Sequence, residues 1–246
     1  MNNDRFDFRP LALAATLCAG GTAHATITFT TSASAFATGA GGGSGQTGND
    51  TFSDLTINGY LNNSLARTTG SSGSSGAANI PPNYAGPPAT GVAYQYTLAA
   101  TAALPSAAGS ALFVAPVAGL GAVATSQYND ALLFTFQSPV KAAGGNFFGT
   151  NELGEVATLA FTVTAKDSVG GTLSTSFSGA SASSFLGFLS DLPLVSVMLT
   201  VTTPNVALFA TADNLVLSAV PEPGSYALML GGLGLLGAVA RRARRV

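Results

Sequence analysis

Between residues 26 and 219, apolar and polar positions alternate in short runs broken by Gly, Pro, Asn and Asp, as half-buried strands and tight turns require. Residues 26–31 alternate Thr with Ile27 and Phe29 and predict a first strand. Residues 52–57 predict a second, with Phe52, Leu55 and Ile57 available for burial. Residues 39–48 and 68–78, dominated by Gly and Ser, read as loops, and 80–88 as an extended proline-bearing connector. Strands are then predicted over 92–98, with Val92, Tyr94 and Tyr96 on one face, over 112–114, and over 131–137, where Ser138-Pro139 makes a turn. Residues 142–149 form a short strand whose paired glycines suggest a bulge. Residues 155–166 alternate most clearly, Leu159, Phe161 and Val163 facing one way and Thr162 and Thr164 the other. A hairpin turn at 167–171 leads into 172–177, and 184–189, 195–202 and 214–217 complete the set. Roughly ten such strands, with no amphipathic helix and no internal repeat, predict an all-β fold. An antiparallel jelly-roll-like β-sandwich is the expected form, a barrel the alternative.

The two ends break the pattern. At the start, Arg5 and Arg9 precede an apolar, small-residue stretch over 11–21, and Ala23-His24-Ala25 gives a small-x-small site before Thr26. That is the layout of a secretory signal peptide over residues 1–25, its apolar stretch a helix, with cleavage set by Ala23 and Ala25. Cys18 follows Ala15-Thr16-Leu17, which is not a lipobox. At the far end, Pro221, Glu222 and Pro223 force an extended joint, because each proline fixes its own φ and restricts the residue before it. Residues 226–240 then run without charge, and Arg241, Arg242, Arg244 and Arg245 follow. As a helix that run is about 22 Å long at ~1.5 Å per residue, short of the ~30 Å hydrocarbon core. Tyr226 at one interface and arginines snorkelling at the other allow it to span a locally thinned bilayer, with the basic end in the cytoplasm.

Pro-Glu-Pro, a glycine-rich apolar helix and an arginine cluster, in that order over residues 220–246, resemble the PEP-CTERM sorting tail of exported Gram-negative proteins. The resemblance implies that an exosortase, a membrane-embedded protease, recognises the tail in the inner membrane and cuts near Pro-Glu-Pro. It further implies a secreted or surface protein of bacteria that make extracellular polysaccharide. Three stretches of the body, Gly145-Asn-Phe-Phe-Gly149, Phe185-Leu-Gly-Phe188 and Asp213-Asn-Leu-Val216, also resemble the domain common upstream of this tail. The domain order is then a signal peptide over 1–25, a β-sandwich body over 26–219 and the sorting tail over 220–246.

Composition matters once the ends are set aside. The only His and the only Cys lie in the signal segment, and the body keeps Arg67, Lys141 and Lys166 against eight acids, a formal charge of −5. Such a body lacks the clustered cations that nucleic acid or anionic lipid requires. Without His or Cys it has no imidazole base, thiol nucleophile, disulfide or ordinary zinc site, which leaves carboxylate chemistry: a glycosidase pair or calcium ligation. Glu152 and Glu155 are the nearest to paired carboxylates, although a solvated loop is the commoner home for such acids. Asp213-Asn214 and Asn129-Asp130 read as turn residues, since a calcium ion needs more oxygens than two side chains supply. Thr26, Thr28 and Thr30 make one row, too few for an ice-binding array. Tyr60, Tyr84, Tyr94, Tyr96 and Tyr128 are the aromatic platforms open to a sugar ligand, Trp being absent. The reading is a non-enzymatic surface or matrix protein associated with exopolysaccharide in biofilm or floc, needing no cofactor and no catalytic residue. A carbohydrate-binding module is the alternative, and a glycan hydrolase using Glu152 and Glu155 comes third.

Overall fold

A computed structural model describes residues 26–40, 47–69, 93–102, 110–117, 120–157, 160–177, 181–202, 207–219 and 231–234. The signal residues Ala23 and Ala25, the joint Pro221, Glu222 and Pro223, and the arginines 241, 242, 244 and 245 lie outside them, as does Tyr84. Of the tail, residues 231–234 are helical and exposed. Among the described residues no helix is long and apolar enough to cross a membrane.

Among the described residues of the body, twelve strands and one short helix follow in order: β1 (Ile27–Thr30), α1 (Ala33–Gly39), β2 (Thr47–Asp50), β3 (Ser64–Thr68), β4 (Gln95–Thr101), β5 (Leu112–Val117), β6 (Leu120–Thr125), β7 (Ala131–Thr150), β8 (Val156–Ala157), β9 (Phe161–Asp167), β10 (Thr172–Phe177), β11 (Phe185–Val201) and β12 (Phe209–Ser218). All pairings are antiparallel, and the central order is β10-β9-β11-β7-β12-β6-β5. The all-β, antiparallel expectation is therefore met.

Two strands organise the body. The first half of β7 pairs with β4 (Tyr96↔Phe136 through Thr101↔Ala131), and its second half with β12 (Ala142↔Ser218 through Thr150↔Phe209). β11 runs beside both halves of β7, while its own far edge carries β1 at residues 187–190 and β9 at 194–201. One layer thus reads β3-β4-β7-β11-β9-β10 and the other β5-β6-β12-β7-β11-β1, with β2 pairing the end of β12, and β7 and β11 bend from one into the other, as strands do at the corner of a sandwich. The layers meet face to face: Phe134 and Phe147, on the two halves of β7, stack edge to face with centroids 6.0 Å apart. The Tyr94 hydroxyl likewise accepts the Ala219 N–H at 2.9 Å. Period-two alternation sends Tyr96, Leu98, Leu132, Phe134, Phe161, Val163, Val197 and Leu199 into one continuous core.

The pattern misplaces several boundaries. Ser138-Pro139 is not a turn, and 131–137 and 142–149 are one strand. The ladder between β7 and β11 shifts register around Val140↔Leu194, so a proline without an N–H is tolerated at the bend. For the same reason 184–189 and 195–202 are one strand, with Pro193 at the corresponding bend of β11. The strand expected over 52–57 is absent: Phe52 and Asn58 take positive φ (53° and 61°), which breaks extended pairing, and the strand forms just before them as β2. The bulge expected in β7 lies on its partner, where Asn214 and Leu215 together oppose Gly145. A Cβ on Gly145 would come within 3.3–3.4 Å of the Asp213 and Asn214 carbonyl oxygens, a tight contact that the glycine spares the bulge.

Helix α1 escapes the pattern because its seven residues, about two turns, bury one side chain, Phe36. Ser32 caps it, accepting the Ala35 N–H at 3.2 Å, and Phe36 is buried on the outer face of the second layer with Ala142, Phe185 and Leu189. Gly187 makes the room, since a Cβ there would lie 2.3 Å from the Phe36 ring. The threonines of β1 face Leu189 and Gly187 across the ladder, so Thr28 and Thr30 gain no second row of threonines from β11.

Candidate functional site

At one end of the second layer three segments that are not strands converge. Residues 58–62 lie along β5, tied by Asn58 N–H to Val114 O (2.9 Å), Val114 N–H to Gly59 O (3.0 Å) and Leu61 N–H to Leu112 O (2.8 Å). Residues 126–129 turn from β6 to β7, with Asn129 at φ 61° and its N–H bonded to Leu208 O. Residues 151–155 form the turn after β7. There the Asn151 side-chain oxygen accepts the Leu153 and Glu155 N–H groups at 2.9 Å each, and Gly154, at φ 76°, packs against Pro116.

Between them lies a cleft of about 360 Å³ whose walls include Tyr60, Tyr128, Glu152, Asn58, Gln127 and Asn151. Tyr60 is 74 % exposed and rests on Phe113; Tyr128 is 43 % exposed and rests on Phe209, with centroids 5.1 Å apart in each pair. Each ring is packed at a tilt against a phenylalanine, Phe113 and Phe209 themselves lining the cleft, and stays exposed to it. The Tyr128 hydroxyl donates to the Glu152 carboxylate, and that hydrogen bond raises the phenol's pKa because ionisation would break it.

Of the residues singled out in the sequence, the fold brings Tyr60, Tyr128 and Glu152 to one place. Glu155 turns away from them, its carboxylate accepting the Asn151 side-chain N–H at 2.9 Å. Among the described residues lining the cleft, Glu152 is the one carboxylate. A glycosidase works with two carboxyls roughly 5–10 Å apart across the sugar, and these two acids do not both line the cleft. Tyr94 and Tyr96 are buried in the core.

Tyr96 belongs to a second polar cluster that nothing in the sequence pattern announces. Asp50, on β2 of one layer, accepts Arg67 from β3 of the other at 2.6 and 2.7 Å, the Tyr96 hydroxyl at 2.6 Å and the Phe52 N–H at 3.0 Å. Asp54 accepts the same guanidinium at 2.7 and 3.3 Å. Burial by itself would lower the Arg67 pKa, but the hydrogen bonds and charge of Asp50 outweigh it and raise it instead. Burial, then the Asp50 charge, pushes the Tyr96 phenol well above its ordinary value. The Arg67 guanidinium also lies 5.3 Å over the Phe52 ring, which helps hold that residue in its left-handed backbone.

The three body stretches quoted above also meet. Asn146 on β7 is flanked by Asp213 on β12 and Phe185 on β11, and its side chain donates to Ala182 O at 2.7 Å. Asp213 does not open the last strand, as its position suggested, but sits at the bulge inside β12. Its carboxylate accepts both the backbone and side-chain N–H groups of Asn214, at 2.7 and 2.9 Å. Burial raises its pKa to about 6, opposed by the Asn214 bond and helped by the Asp50 charge. Among the described residues no group of three His, Cys, Asp or Glu is placed to hold a metal ion.

Fold and cleft together define an antiparallel β domain that presents two exposed, braced tyrosines beside one acid. Its C-terminal side settles more: residues 219–245 match the family described as the PEP-CTERM protein-sorting motif, so the chain carries that sorting tail. The motif implies exosortase-dependent sorting of an exported protein, through the membrane to the cell envelope. No curated protein and no solved structure matches the chain.

Proposed function

We propose that the chain is exported, sorted by an exosortase in the inner membrane through its tail, and left at the cell surface or in the extracellular matrix as a non-enzymatic protein associated with exopolysaccharide. The observation that carries this is the sorting motif over residues 219–245. Cleavage after Ala25 and near Pro221-Glu222-Pro223 would leave the β body of formal charge −5 as the working protein. The test is the intact mass of the protein recovered from the medium and the cell surface of an exosortase-bearing host. A start at Thr26 and an end near Val220 is expected. A retained tail would reduce the motif to a plain anchor and overturn the reading.

A second reading, a carbohydrate-binding module, is favoured by the cleft, where Tyr60 and Tyr128 stand exposed, each in contact with a phenylalanine. Retention of the protein on insoluble polysaccharide separates it from a purely structural coat.

A further inference from the structure

We propose that the cleft between Tyr60 and Tyr128 grips a stretch of polysaccharide built of neutral or amine-bearing sugars, and rejects polyuronates. This deepens the matrix reading above and rests on it. Three observations converge. First, a large exposed aromatic side chain forgoes its burial free energy, and here two do so at one cleft, each held by tilted contact with a phenylalanine that also lines it. A braced ring gives up little conformational freedom when a pyranose stacks its C–H face on it. Second, the remaining lining suits hydroxyl-rich ligands: the amides of Asn58, Gln127 and Asn151 each offer donor and acceptor atoms. The volume, about 360 Å³, falls within the roughly 300–1,000 Å³ of small-ligand sites.

Third, the charge distribution selects among glycans. The body has three cations. Arg67 is buried with Asp50 and Asp54, Lys141 lies on β7, Lys166 lies on β9, and none of them lines the cleft. Among the described residues lining the cleft Glu152 supplies the one charge, and Tyr128 holds it in place through one carboxylate oxygen. A carboxylated polymer would meet a negative cleft on a negative body, whereas a protonated amino sugar would gain an ion pair and a neutral sugar an acceptor.

The experiment is pull-down of the full chain in detergent on cellulose, chitosan and alginate at low and high salt, beside Tyr60→Ala, Tyr128→Ala and Glu152→Gln. Expected are retention on cellulose or chitosan, none on alginate, and at least a tenfold loss in either tyrosine variant. Glu152→Gln should weaken chitosan retention more than cellulose retention, with a difference that shrinks in high salt. The tyrosines are exposed, so both variants should unfold like the parent; if one fails to fold, the other and Glu152→Gln decide. Retention unchanged in the tyrosine variants, preference for alginate, or no retention on any of the three overturns the proposal. Failure of the matrix reading looks different: tyrosine-dependent binding would persist while fractionated cells held the protein away from the matrix.

Discussion

Among the described residues two tyrosine hydroxyls, those of Tyr96 and Tyr128, donate to a carboxylate in opposite surroundings. Tyr96–Asp50 is sealed between the layers, where Arg67 and the Phe52 N–H also serve the carboxylate. Tyr128–Glu152 stands at the rim of the cleft, in water. In the first, low local dielectric makes every partner obligatory, because an uncompensated buried charge is severely destabilising. In the second, water can replace any partner, so the pair adds little to folding and remains available to a ligand. Chemistry alone does not separate structural from recognition residues; burial does.

The largest expected effect breaks the buried side. Arg67→Ala strands Asp50 and Asp54 between the layers and should destabilise the fold by about 3–5 kcal/mol in denaturant unfolding. A loss under about 1 kcal/mol would mean that water reaches the cluster and the contrast is wrong. Next, Tyr96→Phe leaves Asp50 with Arg67 but without the hydroxyl, and should lower stability by about 1–3 kcal/mol.

Asp213 lies between the extremes, half-buried beside Asn214. Its folded pKa, about 6, is above the ordinary 3.8. The folded chain therefore binds the proton more tightly than the unfolded one, so its contribution to stability falls as pH rises from about 4 to 6 and is level above that. Asp213→Asn should flatten this slope and leave the protein slightly more stable at pH 7, by less than about 1 kcal/mol once solvent screening is allowed for. Thermal unfolding across that range, with an unchanged slope, would show the carboxyl to be solvated after all. The smallest effect is the matched control: Tyr128→Phe should leave the unfolding midpoint unchanged, and a drop as large as that of Tyr96→Phe would erase the distinction between the two pairs.

How far such roles were legible varies with the residue. Strand alternation placed Phe161 and Val163 in the core and Thr162 and Thr164 outside, because a period of two is a local property of the chain. It failed at Pro139 and Pro193, since whether a proline ends a strand or merely bends it depends on whether a neighbour needs its N–H at that position. Tyr60, Tyr94, Tyr96 and Tyr128 look alike in sequence, yet two line the cleft and two are buried. Glu152 and Glu155 looked like a pair, yet a single Asx turn sends them to different partners. Arg67 carried no local signal at all, because its partners Asp50 and Asp54 face it from across the sandwich.

Residue order alone was sufficient for the sorting tail, the all-β class and the charge-poor body. These are properties of contiguous segments and of composition, and need no neighbours from elsewhere in the chain. The tertiary structure alone decided that Asn146, Asp213 and Phe185 meet, that Arg67 bridges the two layers, and that Tyr60, Tyr128 and Glu152 share a cleft. Each of those joins residues at least 13 positions apart, and such meetings are set by strand register and by the bends of β7 and β11.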